Sequence, residues 1–367
     1  MPTTTTTDDW TFSASINGMN FNKPTSTSMG LGVGAAATAV SGETQCTGVG
    51  YASLASSRSG ANNTAVGYGT LNNATTAHSN TAIGAGTLLN NVAGTDATAV
   101  GFMALYSNTG SRSTAVGSYA LQDSTTATQQ SSEAFGYAAL ANQTTGFWNV
   151  GVGMRSLYTL TTQTSNIAMG YESLYTTNGA ANVGLGHMAL RVCTGSNNIG
   201  IGYQVLKGVT SGSSNIGIGY EAGINITTGS TNITIGHDID AVSATASNQL
   251  NIGNTIYGDL SSKKIGIGTP APATNLHIYS TSIPILRIHH DTDSSPTPLI
   301  QLMRGVNDTF GADAYTDWQI QNEGGFFKLQ YNDSSAGSLQ TPFTISYNGN
   351  VGINDSSPSY KLEVAGT

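Results

Sequence analysis

Few side chains in this chain sit where they could do chemistry. His289, His290 and Asp291 are neighbours. On a strand His289 and Asp291 share a face, and copies gathered on an axis could hold a metal ion. Two histidines on an ordinary β surface are the plainer reading, and no cofactor is expected. Trp318, Phe326, Phe327 and Tyr331 could line a receptor site, or could be the core of the segment that carries them. A polysaccharide-cleaving site would need two carboxylates facing one groove. The acids Glu133, Glu172, Glu221 and Asp238 are instead scattered along the chain. Serine is abundant, yet no Gly-x-Ser-x-Gly elbow joins a strand to a helix. The pairs Gly151-Val152-Gly153 and Gly200-Ile201-Gly202 belong to a pattern repeated throughout, which speaks for backbone packing rather than phosphate binding. An enzyme is therefore not expected.

What positions these residues is a repeat. An anchor glycine recurs at Gly34, Gly50, Gly67, Gly84, Gly101, Gly117, Gly136, Gly153, Gly170, Gly186, Gly202, Gly219, Gly236, Gly253 and Gly268, at spacings of 15 to 19 residues. Counting from the anchor, position −1 is apolar (Val66, Ile83, Ile201, Ile218) and −2 is Ala or Gly (Ala65, Ala82, Gly200, Gly217). Position −3 is Thr, Ile or Val, and +4 is Leu (Leu54, Leu71, Leu88 and onward). Position −4 is asparagine at Asn63, Asn80, Asn149, Asn166, Asn182, Asn198, Asn215 and Asn232.

Alternation with period 2 makes −3 to −1 a strand, with branched residues on one face and small ones on the other. The glycine permits a sharp bend, the leucine fills an interior behind it, and polar turns close the coil. One coil cannot bury its apolar face alone, so coils must stack, Ile201 directly below Ile218. Fifteen anchors predict about 15 coils of about 17 residues, a β-solenoid or β-roll over 31–268, roughly 67 Å long at strand spacing. The asparagines at −4 would then form a ladder of amides, each bonding its copies above and below. The aromatics at +1 (Tyr51, Tyr68, Phe102, Tyr137, Tyr171, Tyr203, Tyr220) either pack between coils or make an outward stripe for glycans. His187 and His237 occupy the same position as repeat variants.

Composition narrows the class. Only 9% of residues are charged and the net charge is −8, so no cationic stripe is available to neutralise phosphate and nucleic acid is not an expected partner. No run of eighteen apolar residues occurs, so membrane insertion is not expected. Residues 1–30 open on a threonine run without a basic and apolar leader pattern, so no secretory signal is expected there. Cys46 and Cys193 fall about eight coils apart, too far to form a disulfide within one stack.

After Gly268 the period stops. Ile283–His289, Pro298–Met303, Asp317–Gln321, Phe326–Tyr331 and Pro342–Tyr347 read as strands of a small antiparallel β domain over 269–348. A duplicated hook frames it: residues 265–278 match residues 351–364 at a constant offset of 86, with Ile265-Gly266-Ile267 answering Val351-Gly352-Ile353 and Leu276-His277-Ile278 answering Leu362-Glu363-Val364. The second hook, within 349–367, looks like the lead into a further module.

The unit Asn63-Thr64-Ala65-Val66-Gly67-Tyr68 resembles the β-roll repeats of trimeric autotransporter adhesin heads and of viral and phage tail fibres. The hook from Asn350 to Val364 looks like the segment preceding an intramolecular chaperone domain in viral fibres. Together these resemblances span roughly residues 31–278 and 349–367. They imply a homotrimer, each chain partnered by two further copies of itself. They also imply a structural and host-attachment fibre of a virus or phage particle, located on the virion. Residues 1–30 would join a baseplate, tail or capsid protein, and the fibre would meet a host surface glycan or protein. A cell-surface trimeric adhesin is the first alternative and a fibre-borne polysaccharide depolymerase the second.

Overall fold

The computed structural model of the chain describes residues 21–22, 29–35, 45–57, 59–125, 131–282, 286, 299–302, 317–332 and 339–365. Its elements are all strands and turns, and it divides into two compact units, Met1–Ser280 and Thr281–Thr367. The first unit is a parallel β-solenoid. Fourteen short strands, from Met29–Leu31 to Gln249–Ile252, follow one another through thirteen parallel pairings. The register is copy on copy: Ile199 pairs with Ile216 and Ile201 with Ile218.

The stack is shorter than fifteen anchors predict. It makes about twelve turns once the first coil, part of which lies outside the described residues, is set aside. Thirteen steps at strand spacing span roughly 62 Å. At the start, Gly32 (φ 132°), not Gly34, occupies the anchor place below Gly50. At the end, Gly268 lies beyond the parallel run. There Ile256–Asp259 turns back antiparallel on Gln249–Ile252, and Lys264–Ile267 pairs antiparallel with it in turn. Phe21–Asn22 pairs antiparallel with Met29–Leu31 at the other end, so strands cover both edges of the stack.

Local chemistry explains the coil. The anchor glycines from Gly50 to Gly236 hold φ between 120° and 141°, a region closed to residues with a Cβ. A Cβ on Gly202 would also run into the Gly219 carbonyl one coil above. Two residues later and again at +4 the chain turns left-handed, as at Arg155 (φ 56°) and Leu157 (φ 52°). Each such residue costs about 1–2 kcal/mol. Two gains offset this. The N–H at +2 bonds one neighbouring coil and the N–H at +4 the other: Arg155 donates to the Tyr137 carbonyl and Leu157 to the Ser173 carbonyl. The +4 leucines from Leu54 to Leu206 are fully buried, and each gains about 1.5–3 kcal/mol from burial.

The coil's facing corrects one expectation. Stacking buries the leucines and the small −2 residues, but not the branched residues of the strand. Ala65, Ala82 and Ala168 are fully buried, whereas Ile83, Met169, Ile201 and Ile218 are 43, 46, 40 and 38% exposed. The leucine across the coil sets this polarity. A Cβ on Gly217 would come within 2.7 Å of Leu206 Cγ, so at this coil even a methyl would displace the leucine and larger side chains have no room opposite it. The larger residues must look outward.

The second unit holds a six-stranded sheet: Leu299–Leu302, Asp317–Glu323, Phe326–Asn332, Gln340–Ile345, Val351–Ile353 and Leu362–Val364. Its first five strands pair antiparallel. The strand expected at Ile283–His289 lies outside the described residues apart from Leu286, which is in no strand. Both copies of the hook fold alike, one in each unit. Ile265 pairs with Leu276 and Ile267 with Ile278; Val351 pairs with Leu362 and Ile353 with Val364, all parallel. In each, a Cβ on the middle glycine, Gly266 or Gly352, would strike the carbonyl three residues on, which explains the shared Gly.

Candidate binding surfaces

The solenoid keeps its amides inside. Asn63, Asn80, Asn149, Asn166, Asn182, Asn198, Asn215 and Asn232 are all fully buried. Asn198 Nδ2 donates to Asn182 Oδ1 at 3.1 Å and to the Gly212 carbonyl at 2.9 Å, while Asn198 Oδ1 accepts from the Asn215 backbone N–H at 2.9 Å. The same arrangement links Asn80 to Asn63 and Asn182 to Asn166. These residues hold the stack and offer nothing to a ligand. The column is interrupted at Ala97, Ser113 and Ser132, and amides from position +7 step in. Asn91 bonds the Gly94 carbonyl, Asn108 the Gly110 carbonyl, and Gln143 bonds both Ser132 and Asn149. Reasoning from the repeat passed over position +7; its signal was that Asn91 and Asn108 are followed by coils lacking the −4 amide.

The +1 aromatics stack on one another. Tyr171, His187, Tyr203, Tyr220 and His237 form a continuous column with centroids 4.9–5.1 Å apart and planes within 21° of parallel. Tyr51 stacks on Tyr68 likewise. Within the column each ring covers its neighbour's face, so edges rather than faces meet solvent. Along the +1 position the column is interrupted at Ala85, and at Ser118 and Met154 on either side of Tyr137.

On this flank Glu172 is a buried, firmly held carboxylate. Arg191 Nε lies 2.8 Å from its Oε2 and Arg155 3.8 Å from its Oε1, and the Tyr171 hydroxyl donates to it at 3.0 Å. Burial pushes its pKa up, but the hydrogen bonds from Arg191 and Tyr171 and the two positive charges outweigh that and hold it below the usual carboxylate range. Neither cysteine forms a disulfide and both are buried. Burial pushes the Cys193 thiol up to about 11.

The four aromatics of the terminal sheet do not converge. Trp318 and Tyr331 are cross-strand partners with rings 5.0 Å apart, and Phe327 shares their face. Phe326 is on the opposite face, where Lys328 Nζ lies 5.7 Å from its ring centroid. Tyr331 also borders a cavity of about 550 Å³ with Gln340, Thr341 and Asn354. The face with Trp318 and Phe327 is apolar and half-open, with Ile300 and Leu302 41 and 58% exposed. The other face carries a buried glutamine cluster: Gln319 Nε2 donates to Gln321 Oε1 at 3.0 Å and to Gln330 Oε1 at 2.9 Å. His289 and Asp291 lie outside the described residues. Among the described residues no three of His, Cys, Asp and Glu gather as a metal site.

Fold and surfaces together define the class: an all-β repeat protein with a parallel β-solenoid and an antiparallel sheet. No family model matches the chain, and no curated protein matches it in sequence.

Proposed function

We propose that this chain is a structural and host-attachment fibre of a virus or phage particle, working as a homotrimer. The supporting observation is the outward stripe at −3 and −1. It is apolar over the coils from Val150 to Ile252, yet half-exposed, on coils whose buried asparagines are already hydrogen-bonded inside. Such a stripe asks for a partner. Copies of itself are the natural one, because three identical stripes close about a threefold axis. At roughly 62 Å by about 10 Å the whole stripe offers about 600 Å² per chain, and its wholly apolar half, six steps long, about 300 Å², against the ~800 Å² a side of a standard interface. Residues 1–30 would join the particle and the outer faces would meet a host glycan or protein, weak contacts multiplied by the number of chains.

Sedimentation of the purified chain tests the assembly: an elongated trimer is expected, and Ile201→Lys with Ile218→Lys should release folded monomers. A compact wild-type monomer at micromolar concentration overturns it. Antibody-labelled imaging of particles tests the location.

A further inference from the structure

The flank of the solenoid has one missing rung, and we propose that it is a binding site for a single sugar ring bearing a carboxylate. At position +2 the coils carry Tyr119, then Ala138, then Arg155; at +5 they carry Gln122, then Ala141, then Tyr158. Two alanines thus lie between bulky residues of the coils below and above. The gap between those flanking coils is two steps, roughly 10 Å, room for one flat ring between the walls. The structure has a cavity of about 210 Å³ there, with Ala138 and Ala141 as its buried floor.

The walls suit a sugar. Tyr158 stacks on Tyr175 above it, centroids 5.3 Å apart and planes 9° from parallel. Tyr175 covers one of its faces, the Arg155 guanidinium lies over the ring 5.9 Å from its centroid, and Tyr158 lines the cavity. A tyrosine beside a guanidinium offers a sugar an apolar ring surface next to a positive charge. Tyr137, 48% exposed, sits where the +1 column is broken by Ser118 and Met154, and Tyr119 meets it edge-on at 5.8 Å. Gln122 and Asn142 supply amides for hydroxyl groups.

Charge selects the acid. Arg155 lines the cavity with its side chain 44% exposed. Glu172 is already held by Arg191 at 2.8 Å and reaches Arg155 only at 3.8 Å. Two guanidiniums against one carboxylate leave one positive charge, and a planar guanidinium matches a carboxylate in two hydrogen bonds.

This inference deepens the attachment reading and stands on it only for its biological use. The test is a titration of the full chain with glucuronic acid, N-acetylneuraminic acid and glucose, followed by saturation-transfer NMR. Millimolar binding of at least one acidic sugar and weaker binding of glucose are expected. Ala141→Tyr should abolish binding, because it fills the gap and extends the existing Tyr158–Tyr175 stack, which favours folding. Arg155→Gln should weaken acid binding about tenfold, while Tyr68→Ala, remote from the cavity, should leave it unchanged. Unaltered circular dichroism and sedimentation establish that each variant is folded. No binding by the folded wild-type chain, binding that survives Ala141→Tyr, or glucose binding as tight as the acids' overturns the proposal. A chain that adheres to cells but ignores these sugars sinks this site alone. Sugar binding by a chain that is never found on a particle sinks the attachment reading alone.

Discussion

The solenoid and the terminal sheet share an inversion and reach it differently. Both bury hydrogen-bonded amides and leave apolar side chains half-open: Asn182 and Asn198 against Ile201 and Ile218 in one, Gln319 and Gln330 against Trp318 and Leu302 in the other. In the unbroken part of the solenoid ladder an amide bonds its own copy 16 or 17 residues away. In the sheet the partners are unrelated positions, two along the strand or across to the next. A repeated network is self-templating, since any coil that admits one asparagine admits the next. The glutamine cluster depends on one particular pairing of strands. In both, an amide side chain is affordable inside because its neighbours satisfy it, and the apolar face is left half-open.

The largest expected effect breaks the solenoid alone. Gly202→Ala puts a Cβ against the Gly219 carbonyl at φ 140° and should lower stability by about 3 kcal/mol or more. Gly253→Ala, at φ 59° with open space around its Cβ, should cost only about 1 kcal/mol. Urea unfolding followed by circular dichroism separates them, and equal losses would show that close coil approach is not what the anchor glycine serves.

Next come the two amide networks. Asn198→Leu strands the Gly212 carbonyl and the Asn215 N–H inside the coil, for an expected loss of about 2–3 kcal/mol. Gln330→Leu in the sheet should cost about 1–2 kcal/mol and leave solenoid unfolding where it was. Both measurements need a probe that tells the units apart. Cys193 provides it: buried and with its pKa raised to about 11, it should resist iodoacetamide at pH 8 until its coil opens. Rapid labelling of folded protein would contradict the packing described for that coil.

The smallest effect is electrostatic. Glu172 is held below its unfolded value of about 4.3. Its ionised form therefore adds stability above that pH, and the contribution disappears as pH falls through 4.3 towards the folded value. Both arginines are partly exposed, so the effect is on the order of 1 kcal/mol. Melting temperatures between pH 6 and pH 3 should fall less steeply in Glu172→Gln than in the wild type.

Much of the solenoid was legible because a repeat names its own partners. The anchor glycines, the +4 leucines and the −4 asparagines announce a stack, and the matched hooks at residues 265–278 and 351–364 announce a shared local fold. Other features carry no such signal. Leucine is an unlikely residue at φ near 50°, and nothing in Leu157 reveals that its neighbours hold it there. Asn91 and Gln143 act as stand-ins only because coils bring them beside empty ladder positions. Trp318 and Phe326 are a few residues apart in one segment, and their parity on paired strands places them on opposite faces.

Periodicity is enough to say which residue lies above which, since in a stack of like coils the register with the lowest energy pairs like with like. It has no sign, however: alternation separates Ala65 from Val66 without stating which of them looks inward. The interior width left opposite the buried leucines chose, and it admitted only the small side chains. The same closure of the coil brought Ala138 and Ala141 together as a gap on the flank, a juxtaposition of two unremarkable residues that exists only once the turns above and below are in place.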